Sequence, residues 1–198
     1  MGKLGIMGGT FNPIHNAHLV IAQFAREEYG LDRVMFLPNA VPPHKKCADT
    51  ADAALRLEMV RAAIDGNDSF FVSDYEVTEG GLSYTVDTLR HFTRVFPNDS
   101  LYFIIGGDSL RDFPKWHMPE EIASLCTLIA YPREGLDMTA YADALRKQYG
   151  AGVAFVHAPR LDISSSDIRR RCAQGKTIRY LVPDSVKKII EKSGIYVK

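Results

Sequence analysis

Short, mainly apolar runs alternate with longer amphipathic ones along this chain. Leu4–Met7, Val34–Leu37, Phe70–Val72, Leu101–Ile105, Leu125–Ala130 and Val153–Val156 have the length and composition of strands buried on both faces. Gly8-Gly9, Pro38 and Gly106-Gly107 stop three of them. Between the strands, apolar residues three and four apart predict helices. The first covers 16–29, with Leu19, Ile21, Ala22, Phe24 and Ala25 on its apolar side and Gly30 as its stop. Others are expected over 51–64, on Leu55, Met59, Val60 and Ala63, then over 84–95 and 139–149. Two more, around 165–173 and 185–192, make up the tail. Strand and helix alternation of this kind predicts an α/β, Rossmann-like doubly wound parallel sheet with helices on both faces. Residues 1–198 read as a single domain, with a core over 1–160 and a helical C-terminal extension over 161–198.

Two of the strands end in glycine pairs. Open parallel sheets bind ligands at the carboxyl ends of their strands, and glycine lets a ligand approach the backbone closely. If the two strand ends are neighbours, a nucleotide site is expected there.

Composition narrows the partners. The 198 residues carry 24 Lys+Arg against 24 Asp+Glu, so the net charge is zero and a broad nucleic-acid surface is not expected. Three dispersed cysteines form no CxxC pair, which suits a reducing, cytoplasmic setting. The N-terminus lacks the apolar run of a secretory signal, and no apolar stretch approaches membrane-spanning length.

The chemistry concentrates in Gly8-Gly9-Thr10-Phe11-Asn12-Pro13-Ile14-His15-Asn16-Ala17-His18, which joins the first strand to the first helix. A helix N-terminus offers unpaired N–H groups and a positive dipole, suited to phosphate. His15 and His18, three apart, share its first turn. Phosphate contact is favoured over the alternative in which one histidine caps the helix and the other is core. Zinc is disfavoured, because two histidines need further ligands. The segment is neither GxGxxG nor a P-loop. Ser165 and Ser166 open another predicted helix with Arg169 one turn on, a second place where hydroxyls, amides and a guanidinium could grip phosphates.

GGTFNPIHNAH resembles the (H/T)xGH signature of the nucleotidyltransferase superfamily. Pro42-Pro43-His44-Lys45, Ser83-Tyr84-Thr85-Val86-Asp87-Thr88-Leu89, Ile104-Ile105-Gly106-Gly107-Asp108 with Trp116, Ile163 through Arg169, and the ending Tyr180-Leu181-Val182-Pro183 to Tyr196 follow in family order. Together they resemble the bacterial nicotinate-nucleotide adenylyltransferases over nearly the whole chain. Ala17 stands where glycine is commoner, and Asn12 where aspartate is commoner.

The resemblance implies an enzyme that joins ATP and nicotinate mononucleotide into deamido-NAD and pyrophosphate. Mg²⁺ would be held mainly by the ATP phosphates, with no metal site of protein ligands and a homo-oligomer as an option. The catalytic set it implies is Thr10, His15, His18, Lys45 and Arg169, with His18 strongest in the transition state. ATP would contact Gly8, Gly9, Thr10, Phe11, His15, His18, Gly107, Asp108, Ser165, Ser166 and Arg169. The mononucleotide would contact His44, Lys45, Ser83, Tyr84, Thr85, Gly106, Asp108, Trp116 and His117. Trp116 would stack on the cationic pyridine ring, against the alternative of a core tryptophan. Asp108 reads either as a ribose or metal-water contact or as an N-cap. The rivals are a relative acting on nicotinamide mononucleotide or phosphopantetheine, and a non-catalytic nucleotide sensor.

Overall fold

Apolar residues alternate between the two faces of each central strand, and that alternation builds two core layers. The computed structural model describes residues 1–40, 50–132 and 137–197. Among them, β1 (Gly2–Gly9), β2 (Arg33–Pro38), β3 (Phe70–Val72), β4 (Asp99–Gly106), β5 (Thr127–Tyr131) and β6 (Gly152–Phe155) form one sheet. Every pairing is parallel, and the order is β3-β2-β1-β4-β5-β6, that of the classical doubly wound fold.

Leu4, Ile6, Met35, Leu37, Leu101, Phe103, Ile105, Leu128 and Ala130 point into one layer. Met7, Val34, Phe36, Ile104 and Ile129, the intervening positions, point into the other. The first layer is covered by α4 (Thr85–Val95), α5 (Gly107–Asp112), α6 (Pro119–Leu125) and α7 (Met138–Tyr149). The second is covered by α1 (Asn16–Tyr29), α2 (Ala53–Ile64), α8 (Ser165–Ala173) and α9 (Asp184–Ser193). Ile168, Cys172, Ile178, Val182, Val186 and Ile190 share that second layer with α1 and α2. The start of α8 and the Tyr180-Leu181 turn reach the strand ends, while α9 packs on α2 and anchors there through Ser185 Oγ, which donates to Ala62 O at 2.7 Å.

Two short helices were not foreseen. One is α3 (Tyr75–Glu79); the other is α6, which ends at Leu125, a residue the pattern assigned to the following strand. A 3₁₀ turn, Phe113–Lys115, lies between α5 and α6.

The largest fully buried side chain is a charged one, Arg56 on α2. Its position on the apolar stripe is a sequence signal in its own right, since 56 stands three and four residues before Met59 and Val60. Nε donates to Ala51 O, Nη1 to Thr10 O and Asn39 Oδ1, and Nη2 to Asn39 O and Ala40 O, at 2.7–3.3 Å. One guanidinium thus fastens the loop after β1 to the exit of β2 and the approach to α2. Arg56→Met would leave those carbonyls without a donor. We expect it to lower stability by about 3 kcal/mol or more, read as a fall in the urea midpoint at unchanged m.

Candidate active site

β1 and β4 are adjacent, and the helices that follow them leave to opposite sides of the sheet. The glycine pairs are therefore neighbours at the carboxyl edge, as expected. A cavity of about 800 Å³ opens there. Its wall includes Gly8, Gly9, Thr10, Phe11, His15, His18, Gly106, Gly107 and Asp108, with Ser165, Ser166 and Arg169 on the α8 side and Ser83, Thr85 and Trp116 on the α4 side. Tyr84 and His117 are not on the wall. Their rings pack on each other instead, 4.7 Å between centroids. His44 and Lys45, with Cys47, lie outside the described residues.

The glycines serve different ends. A Cβ on Gly9 would crowd the Phe11 ring at 3.2 Å, so this glycine makes room for the protein's own aromatic ring. Phe11 occupies the left-handed region at φ 46, an uncommon state for a bulky residue. A Cβ on Gly106 would meet nothing within 4 Å.

His15 sits at the N-cap of α1 and stacks on His18 with ring centroids 3.7 Å apart. Phe11 meets His18 edge-on at 5.1 Å. His18 Nδ1 accepts from the His15 backbone N–H at 3.2 Å, so the neutral ring carries its proton on Nε2 as a donor. Burial brings the His15 pKa down to about 4, its backbone hydrogen bond opposing only part of that. Burial, with the charge of His15 second, holds His18 well below 6.5. Both imidazoles are thus neutral donors in the ligand-free protein.

The amides at the start of α1 are also engaged. His15 N–H binds His18, and Asn16 N–H binds Leu181 O at 3.0 Å. Asn16 Nδ2 binds Tyr180 O at 2.7 Å. The expectation of a bare helix N-terminus awaiting phosphate therefore fails at His15 and Asn16, because His18 and the tail supply the acceptors.

On the α8 side Ser164 is the N-cap, its hydroxyl accepting from Asp167 N–H at 3.1 Å. Ser165 Oγ donates to Pro13 O at 2.9 Å, and Arg169 Nη1 to Asn12 O at 2.9 Å. Arg169 Nη2 stands 3.5 Å from Ser166 Oγ. At the opposite end Trp116 rests on Phe113 and Phe103, 5.4 and 6.2 Å between ring centroids, while forming part of the wall. Trp116 is therefore partly packed on the core and partly open to the cavity.

Asp108 is not the N-cap of α5, which is Gly106. It lies in the first turn and pairs with Arg111 at 3.4 Å. Glu76, on α3, was not singled out by the sequence. It is buried, lines the cavity, and accepts from Thr88 Oγ1 at 2.6 Å and from Ser83; burial raises its pKa. Asn12, noted in the sequence only as a departure, is buried too, with Oδ1 accepting from Ala51 N–H at 3.0 Å.

Among the described residues no three or more His, Cys, Asp or Glu side chains gather as a cation cage. The hard oxygen donor of Asp108 at the wall fits an ion that arrives on a ligand's phosphates and keeps most of its other sites for water. Among the described residues no helix is long and apolar enough to cross a membrane.

The cytidylyltransferase-like family model matches residues 6–171. The chain belongs to the cytidylyltransferase-like family. Relatives in that family named probable nicotinate-nucleotide adenylyltransferase match nearly end to end. That of Citrifermentans bemidjiense is 44% identical over 98% of this chain and 98% of its own. That of Lachnoclostridium phytofermentans is 40% identical over 100% of both. A solved structure of Plasmodium falciparum nicotinic acid mononucleotide adenylyltransferase complexed with NaAD shares the fold, with a TM-score of 0.80 at 20% identity over 99% of this chain and 98% of that one.

The histidine shifts set a pH dependence. The unfolded chain binds a proton at His15 near pH 6.5, whereas the native chain resists it down to about 4. Stability from this residue is complete above pH 6.5 and is lost as pH falls toward 4, by roughly 3 kcal/mol. Urea titrations of the ligand-free protein across that window should show the fall, and His15→Gln should make it shallower, His18 supplying what remains.

Proposed function

We propose that this cytidylyltransferase-like protein is a nicotinate-nucleotide adenylyltransferase, carried on a single domain over 1–198, which transfers AMP from ATP to nicotinate mononucleotide. The observation that carries the reading is one continuous cavity with two unlike ends. One end gathers the glycine loop, His15, His18 and Arg169; the other gathers Trp116 and the start of α4. A volume of about 800 Å³ suits a dinucleotide. The names of the end-to-end relatives support the same reaction.

The phosphate oxygen of the mononucleotide attacks the α-phosphorus of ATP in line. A new P–O bond forms, the bond to the β-phosphate bridging oxygen breaks, and pyrophosphate leaves with that electron pair. The attacking phosphate is already an anion, so no general base is needed. The protein aligns two mutually repelling anions and stabilises the charge that develops between them. His18, fixed by Phe11, His15 and its own Nδ1 bond, presents Nε2–H in a preset direction. His15 completes the stack, and Thr10 contributes its hydroxyl.

Gly8, Gly9, Phe11, Gly107 and Asp108 line the ATP path. Ser165, Ser166 and Arg169 hold the departing phosphates, and Lys45 joins them or the mononucleotide phosphate. Mg²⁺ bound through the ATP phosphates would supply charge neutralisation, and Asp108 is the wall carboxylate that would help hold it. Trp116 takes the pyridine ring. Thr85 and Ser83, together with Gly106 and His44, take the mononucleotide's carboxylate and ribose phosphate, the N-terminal dipole of α4 favouring a negative group. The outward packing of Tyr84 and His117 limits them to the rim of that end.

With Mg²⁺-ATP, pyrophosphate release should be faster with nicotinate mononucleotide than with nicotinamide mononucleotide. Equal or faster turnover of the amide would remove the carboxylate argument. His18→Ala should lower kcat by about a hundredfold or more in the folded protein, with a modest fall in thermal midpoint from the unpaired His15 N–H. Trp116→Ala should raise KM for the mononucleotide and leave KM for ATP nearly unchanged.

A further inference from the structure

Tyr196 lies 184 residues from Asn12 along the chain and outside the cavity wall, yet it is tied to the nucleotide loop. Its hydroxyl donates to Asn12 Oδ1, the same oxygen that takes the Ala51 N–H at 3.0 Å. Burial raises the phenol's pKa, which keeps it protonated and donating. The Asn12 carbonyl in turn accepts from Arg169 Nη1 at 2.9 Å. Asn12 is only 5% exposed, so its amide cannot exchange these partners for water without opening the core. Tyr196 itself is held at φ 68, a left-handed state that an L-residue keeps only where its surroundings fix it. Ile195 and Tyr196 pack against the second core layer, whose residues include Phe11 and Ile14 of the same loop.

We propose that Tyr196 is a positioning residue for nucleotide binding: through Asn12 it fixes the carbonyl that aims the Arg169 guanidinium into the cavity. The proposal rests on the adenylyltransferase reading for the identity of the nucleotide. It assigns a task to a side chain that touches no substrate. Asn12 serves as the joint, with its side chain facing the C-terminal segment and its carbonyl facing the pocket arginine. An aspartate at this position would accept the same two donors as an anion, and more strongly.

Tyr196→Phe removes one hydroxyl and keeps the ring, so the packing of the segment is preserved. ATP binding should be measured by calorimetry on the full chain, alongside steady-state kinetics. Tyr196→Phe should weaken ATP binding and raise KM for ATP about fivefold, the scale of one buried hydrogen bond, with KM for the mononucleotide unchanged. In an Arg169→Ala background the same change should have no further effect on ATP binding, because the group being aimed is gone. Introduced after Asn12→Asp, it should cost more than in the parent chain.

A folded Tyr196→Phe variant that binds ATP as tightly as the parent overturns the proposal. So does a loss of the same size in the Arg169→Ala background, or a variant that fails to fold, either of which makes Tyr196 a structural tie only. A parent chain that binds ATP but releases no pyrophosphate overturns the function reading and leaves this comparison intact. A parent chain that binds no ATP overturns both.

Discussion

β1 and β4 pair in parallel from Gly2 beside Asp99 to Met7 beside Ile104, and the chain then leaves them toward opposite faces of the sheet. α1 carries Ala22 and Ala25 into one core layer, while α5 carries Leu110 into the other. Two adjacent strands whose successors diverge leave a crevice at their carboxyl ends that no neighbouring element fills. A crevice of that origin is lined by backbone and by the first residues of helices, so its polar groups begin as peptide groups. The protein's task is to decide which of them stay open. At the start of α1 it closes two, one with an imidazole and one with the Leu181 carbonyl of the tail, and the Tyr180 carbonyl takes the Asn16 side-chain amide beside them.

That distribution alters the electrostatics of the pocket. A positive site for a polyanion need not be built from formal charges, and here the two histidines at its centre are neutral when the cavity holds no ligand. The fixed positive charge comes from guanidinium groups at two depths. Among the described residues, Arg160 and Arg169 are on the wall, and Arg56 is buried behind Thr10, surrounded by carbonyl oxygens. Buried charge of this kind is costly unless every donor finds an acceptor. The five bonds of Arg56 meet that condition and, in doing so, make the loop after β1 rigid.

The features legible in the sequence were those written in local pattern. Apolar runs at Leu4–Met7 and Leu101–Ile105 gave the strands, and glycine pairs after them gave the site. Most of the wall followed from motif spacing. The rest depended on partners far apart in the chain. The protonation of His15 and His18 follows from burial, and the occupancy of the α1 amides follows from residues at 180 and 181. Local pattern reports neither. Tyr84 was placed with its neighbours Ser83 and Thr85, but consecutive residues at a helix start point in different directions, and its ring turns to His117. Helices α3 and α6 are too short to show a period. Pro119 and two glutamates do mark the start of α6, though Leu125 is continuous with the apolar run of the next strand. Arg56 was visible as a charge on an apolar stripe, and Glu76 had no comparable signal.

The bond from Asn16 Nδ2 to Tyr180 O spans 164 residues. Such a separation bears on how the molecule matures as it is made. Every residue of the cavity wall has been synthesised once Arg169 has been added, so an emerging chain already holds the full set of pocket side chains. It does not yet hold the acceptors for the start of α1, nor the phenol that steadies Asn12. Long-range contacts of this kind form late, since a large loop must close before they repay its entropy. The order of synthesis therefore separates possession of the site from its completion.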